Sequence, residues 1–213
     1  MRITIFGAAG DVGSRVVAEA LSRGHKVTAV VRDPAQFSKL PAEAIARSGD
    51  AGNAEDVVRL TAGQDVAISA IRPRAGSEDQ LATITKVILD GAAQSGIRVL
   101  VVGGAASLKM PGQGDTTVLT APDFLPEAVL DIARACLAQY EICRAETRAD
   151  WAYLSPPAML TPGTRTGIYR LGSDELLVDA NGDSAISMED FAGVLLDETE
   201  HPKHRRVRFT AAY

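Results

Sequence analysis

Arg2-Ile3-Thr4-Ile5-Phe6-Gly7-Ala8-Ala9-Gly10-Asp11-Val12-Gly13 is the stretch that decides the fold. A short β-rich run ends at a glycine, and apolar residues at helical spacing follow over residues 12–22. Glycines at a strand-to-helix turn let the backbone approach a pyrophosphate and let the helix pack closely on the strand. The helix amino terminus then offers unpaired N–H groups to the anion. Gly7, Ala9, Gly10, Asp11, Val12 and Gly13 are therefore the expected phosphate cradle. Their spacing is G-x-x-G-x-x-G, not G-x-G-x-x-G, so the flanking elements must carry the reading.

Those elements alternate. A strand is expected over 26–31, closed by Arg32-Asp33-Pro34, and a weak one over 44–47. A helix over 54–61 and a strand over 66–70 follow, then a helix over 79–95 and a strand over 98–102 that ends in Gly103-Gly104. Strands alternating with helices mean right-handed crossovers and a parallel sheet. The fold class is thus α/β: a Rossmann-type doubly wound parallel sheet with helices on both faces. Residues 105–122, rich in Gly, Pro and Thr, read as a long loop on the ligand-binding side of the sheet. A second long helix is expected over 126–149, then a strand over 151–154 stopped by Ser155-Pro156-Pro157. Beyond Ala158 come a segment at 170–178, a helix from Ser187 to about residue 200 and a last strand over 207–210. Residues 158–213 are expected to cap the substrate side of a single domain spanning 1–213.

The end of the second strand is where the adenosine ribose is read. An acidic residue there binds ribose hydroxyls, whereas an arginine pairs with a 2′-phosphate. Arg32 comes first, and Asp33 before Pro34 is explained as a turn or cap residue. NADP(H) is accordingly favoured over NAD(H). Asp11 opposes this modestly, because a carboxylate beside a pyrophosphate is repulsive unless it turns outward.

Composition sets the outer bounds. The chain has 213 residues, 27 acidic against 22 basic, and a net charge of −5, which argues against a nucleic-acid surface. No apolar run suits a membrane span or a secretory signal, so a cytoplasmic protein is expected. Aromatics are only 5%, which leaves few rings for stacking on a substrate. Cys136 and Cys143 are too far apart on a helix to form an intrachain disulfide. His201 and His204 lie among proline and basic residues and read as an exposed turn, not a metal site. Lys203, Arg205, Arg206 and Arg208 read as a solvated edge, and Asn181-Gly182 as a hairpin turn.

Taken with Val30-Val31-Arg32-Asp33-Pro34, Ser48-Gly49-Asp50, Asp65-Val66-Ala67-Ile68, Val101-Val102-Gly103-Gly104 and Trp151-Ala152-Tyr153-Leu154-Ser155-Pro156-Pro157, the glycine loop resembles the atypical short-chain dehydrogenase/reductase superfamily. The likeness is to its small NAD(P)H-binding branch of NmrA-like proteins and flavin reductase/biliverdin-IXβ reductase types. The resemblance implies that Asp50 and Ala51 lie beside the adenine. It implies that Ala70, Ile71 and Arg72 line the ribose and pyrophosphate, and that Gly103, Gly104, Ser155, Pro156 and Pro157 border the nicotinamide.

The chain departs from the superfamily at its usual proton donor. Four residues after Tyr140, Tyr153 and Tyr169 stand Arg144, Pro157 and Ser173, and nothing follows Tyr213, so Tyr-x-x-x-Lys is absent. Tyr140 with Arg144 is the nearest substitute, and Ser107 after the Gly-Gly turn is a second candidate for bonding a substrate carbonyl. Hydride transfer to a flavin, quinone or similar small planar acceptor needs no such dyad, because the acceptor takes its proton from solvent. A reductase of this kind, monomer or homodimer, is the first expectation. An NmrA-like redox sensor without turnover and a nucleotide-sugar-type epimerase or dehydratase are the alternatives.

Overall fold

Strand β1 (Arg2–Phe6) is buried on both faces from Ile3 onward, and its one polar interior side chain, Thr4, donates its hydroxyl to Leu60 O at 2.8 Å. In the computed structural model, which describes residues 1–213, the sheet grows from β1 in both directions. Helix α1 (Asp11–Ser22) follows, then β2 (Lys26–Val31), β3 (Ile45–Ser48), α2 (Ala54–Thr61) and β4 (Val66–Ser69). Next come α3 (Gln80–Ser95), β5 (Arg98–Val102), α4 (Leu130–Ala145) and β6 (Asp150–Ser155). The remainder forms β7 (Met159–Thr161), β8 (Arg170–Gly172), β9 (Ala185–Ser187), α5 (Met188–Glu200) and β10 (Val207–Ala212).

Eight strands form one sheet in the order β3-β2-β1-β4-β5-β6-β10-β8, parallel throughout except for β8, which runs antiparallel to β10. Ile3 pairs with Val27 of β2 on one side and Val66 of β4 on the other. Helices α1 and α5 cover one face over Ile5, Val16, Leu154, Phe191 and Phe209. Helices α2, α3 and α4 cover the other over Phe6, Val57, Ile88, Val99 and Trp151. This is the doubly wound α/β fold expected from the alternation. No helix is long and apolar enough to cross a membrane.

Residues 158–213 divide between two tasks. Helix α5 and strand β10 complete the frame, whereas Ala158, Leu160 and Met188 reach the cleft described below. The small parallel pair β7–β9 has no counterpart in the sequence reading, and the 170–178 segment yields only β8. Helix α4 is shorter than the expected 126–149. It begins after a 3₁₀ turn at Glu127–Val129 and stops at Ala145, because Glu146 turns extended and its carboxylate accepts the backbone N–H of Arg148 at 2.6 Å. The Asn181-Gly182 turn is present, with Gly182 at φ +87°, and Asp179 Oδ1 accepts from Asn181 N–H and Asp183 N–H, each at 2.8 Å. It is not a hairpin, since the flanking β8 and β9 pair with different strands.

Candidate functional site

The strand order reverses between β1 and β4, and a cleft of about 850 Å³ opens there at the carboxyl ends of the strands. The β1–α1 turn is possible only with glycine at two positions. Gly7 sits at φ +77°, and a Cβ on it would lie 2.6 Å from the Ala70 carbonyl oxygen. A Cβ on Gly13 would lie 2.1 Å from the Gly7 carbonyl oxygen. Gly10 is different: its nearest neighbour to a Cβ is 3.3 Å away, and the rest of that space is open. The first intrahelical bond runs from Ser14 N–H to Gly10 O at 2.9 Å, so the amides of residues 11–13 have no helical partner. Free amides at a glycine turn fit a pyrophosphate. Ala9, Asp11 and Val12 line the cleft with Gly7 and Gly10, while Gly13 supports the turn from behind. The exposed Asp11 carboxylate makes no hydrogen bond and does not cap α1, whose N-cap is Gly10.

At the adenosine end, Arg32 is exposed, lines the cleft and has no hydrogen-bond partner. Asp33 is taken up as a cap, its Oδ1 accepting Ala35 N–H at 2.9 Å. Asp50 is held in place from two sides. Its N–H donates to Asp56 Oδ2 and its Oδ1 accepts Gly52 N–H, each at 2.8 Å. Ala51 lies beside it, buried against the second helical layer.

Toward the other end the wall is made by Ala70, Ile71, Arg72, Gly103, Gly104, Pro156 and Pro157. Gly103 has no room for a side chain, because a Cβ would meet the Tyr153 ring at 2.0 Å. Beneath it Gly104 N–H donates to Tyr153 Oη at 3.1 Å, and that hydroxyl lies 3.1 Å from both Cys136 O and Gln139 Oε1. Burial raises the Tyr153 phenol well above its ordinary value, so it holds the turn as a neutral group. Ser155 is fully buried behind the two prolines and does not line the cleft.

The two hydroxyls expected to act on substrate are elsewhere, which corrects their candidacy. Ser107 Oγ accepts from Arg208 Nη1 at 2.7 Å. The Arg208 guanidinium also pairs with Asp174 and sits 4.5 Å from the Tyr140 ring centroid, and Tyr140 in turn packs 5.0 Å from the Tyr153 ring. Neither Ser107 nor Tyr140 lines the cleft. Arg208 is therefore a buried linchpin, not part of a solvated edge. His204 is also occupied, with Nδ1 2.8 Å from Glu198 Oε2 and its ring stacked on Phe209.

What faces the open end of the cleft instead is apolar: Val118, Leu125, Val129, Ile132, Ala133 and the Cys136 thiol. Residues 129, 132, 133 and 136 recur at helical spacing on one face at the start of α4, a period present in the sequence but unassigned there. Val118 is held by a small core with Leu108, Met110 and Leu176, which docks the 105–125 loop on the C-terminal segment. No tyrosine, lysine or histidine lines the cleft. The Cys136 thiol is pushed up to about 11 by burial, opposed by the field of Arg72.

A family model described as NAD(P)H-binding matches residues 7–202. YwnB of Bacillus subtilis strain 168, an uncharacterized protein, is 35% identical over 214 residues, which is 99% of this chain and 97% of its own. A solved structure from Bacteroides thetaiotaomicron, provisionally called an epimerase, is 39% identical with a TM-score of 0.90, over 100% of this chain and 96% of that one. A Streptococcus pneumoniae TIGR4 structure, provisionally called an NADH-flavin reductase, is 29% identical with a TM-score of 0.87, over 100% and 99%.

Proposed function

This chain belongs to the NAD(P)H-binding family, in the atypical short-chain dehydrogenase/reductase branch, and from that premise we propose that it is an NADPH-dependent reductase of flavins, quinones or similar small planar acceptors. The observation that carries the reading is the character of the cleft wall. The glycine loop and the free amides of α1 suit a dinucleotide, yet no tyrosine, lysine or histidine stands ready to move a substrate proton. When bound, the reduced nicotinamide supplies a hydride. The protein's own part is to bind, orient and exclude. Gly7 and Gly10 bring backbone against the pyrophosphate, and Arg32 stands free for a 2′-phosphate. Gly103 and Gly104, kept flat by Tyr153, leave the nicotinamide edge without a side chain between it and the acceptor. The wall from Val118 to Cys136 accommodates an apolar planar body, which takes its proton from water.

The NADH-flavin reductase designation of the pneumococcal relative supports a flavin as the acceptor. Epimerisation, the designation of the Bacteroides relative, requires a base at a substrate carbon, and the one such group in this wall is the Cys136 thiol, which burial pushes up to about 11. The test mixes purified protein with NADPH and a panel of flavins and quinones and follows loss of the reduced-nicotinamide absorbance. Oxidation above the protein-free rate with at least one acceptor is expected, and none with any acceptor refutes the proposal.

A further inference from the structure

Almost every arginine of this acidic chain is committed to an acceptor of its own, from Arg2 and Arg15 to Arg205, Arg206 and Arg208. The three guanidiniums that donate to nothing are Arg32, Arg72 and Arg74, and all three line the cleft. Unpaired cations gathered in one concavity, in a molecule of net charge −5, make it a focus for anions.

The three do not serve one anion. Arg32 ends β2 and Arg72 follows β4, and these strands lie on opposite sides of β1, about 10 Å apart at their ends. The pyrophosphate between them is already provided with amides. Arg72 lines the cleft together with Cys136 of α4, close enough for its field to act on that thiol. Arg74 lines the same cleft two residues on, as do the apolar Val118, Leu125, Val129, Ile132 and Ala133.

We propose that Arg72 and Arg74 form an anion site for the acceptor, so that this protein prefers planar molecules bearing a phosphate or carboxylate. The inference rests on the reductase reading for what occupies the wall, and it extends that reading to substrate selection. A bidentate guanidinium contact to a phosphate or carboxylate in a partly enclosed cleft is worth about tenfold in affinity.

The test uses two pairs that differ in the acid alone: FMN against riboflavin for phosphate, and biliverdin against its dimethyl ester for carboxylate. Each is titrated into the full-length protein saturated with NADP⁺, and Kd is read from flavin fluorescence quenching or bilin absorbance. The acidic member of at least one pair should bind about tenfold tighter, and the pair that shows the gap identifies the acid. The gap should close in the R72Q/R74Q double variant and persist in R134Q, which loses an exposed ion pair outside the cleft. No gap in either pair, or a gap unchanged in the double variant, overturns the proposal. So does a double variant that loses NADP⁺ affinity while keeping the gap, which assigns the arginines to the cofactor. NADPH turnover on the same four compounds separates the two readings. An arginine-dependent gap without turnover sinks the reductase and keeps the anion site, and turnover without a gap does the reverse.

Discussion

Replacing Gly13 by alanine sets two effects of known size against each other. Gly13 lies inside α1, where alanine is favoured over glycine by about 1 kcal/mol. Against that, the new methyl would stand 2.1 Å from the Gly7 carbonyl oxygen and 2.9 Å from its carbon. Both are backbone atoms with no rotamer to escape into. Gly7 cannot retreat either, because a Cβ there would already be 2.6 Å from the Ala70 carbonyl, showing how tightly β1's end abuts β4's. Overpacking of this kind costs about 3 kcal/mol where nothing flexible yields, so the net loss is about 2 kcal/mol. For a chain of this size that corresponds to a fall in Tm of about 4–8 °C. Because the turn must shift to admit the methyl, the stabilisation conferred by NADPH should fall as well. Gly10→Ala is the control, since its methyl meets only one atom, at 3.3 Å, and otherwise projects into open space beside the cradle. It should keep the Tm of the parent within about 2 °C while weakening NADPH binding about tenfold or more. Thermal melts followed by circular dichroism, with and without NADPH, read both quantities. A G13A protein melting with the parent, or a G10A protein as destabilised as G13A, would refute the steric reasoning.

Three further outcomes are expected. Arg32→Ala should raise the Kd for NADPH about tenfold and that for NADH by less than about twofold, and equal losses in a fluorescence titration would remove Arg32 from the phosphate role. Tyr140→Phe should leave turnover with any accepted flavin or quinone within about twofold, because the ring packs under Arg208 outside the cleft; a fall of about a hundredfold would restore it as a proton donor. Glu146 is held down to about 2, from an ordinary 4.5, by its hydrogen bond to the Arg148 guanidinium. A lowered carboxylate value stabilises the fold above the unfolded value and loses that contribution as pH falls from about 4.5 toward about 2. Discounted for the exposed Arg148, the contribution is about 2 kcal/mol at neutral pH, with less than half remaining near pH 3. Urea unfolding of E146Q should therefore differ from the parent at pH 7 and approach it at pH 3, and a gap independent of pH would count against the assignment.

The frame was legible because steric necessity writes itself into composition. Gly7 and Gly13 are where crowding forbids a Cβ, and strands β2, β4 and β5 read as largely apolar runs because both faces are covered. The cofactor end followed from that frame, and most of its expected residues do line one cleft. The acceptor end was less legible, for reasons that differ by residue. Ser107 and Tyr140 looked free because the group that occupies them, Arg208, lies far along the chain and reads locally as one of a basic run. Strands β7 and β9 are three residues each and exist only through their mutual pairing. The wall of residues 129, 132, 133 and 136 was present as a helical period, but the period alone does not say whether such a face meets a core or a cleft.

The position of β10 has a consequence for how the molecule assembles. Strand β10 is not at the margin of the sheet but between β6 and β8, so β6 gains its second partner only once residues 207–212 have been made. Until then β6 presents an unpaired edge of Trp151, Ala152, Tyr153 and Leu154, every one of which is buried in the finished protein. An unpaired apolar edge of that kind is a template for pairing with other chains. Pairing of residues 207–210 along residues 152–155 is thus the step that covers this edge.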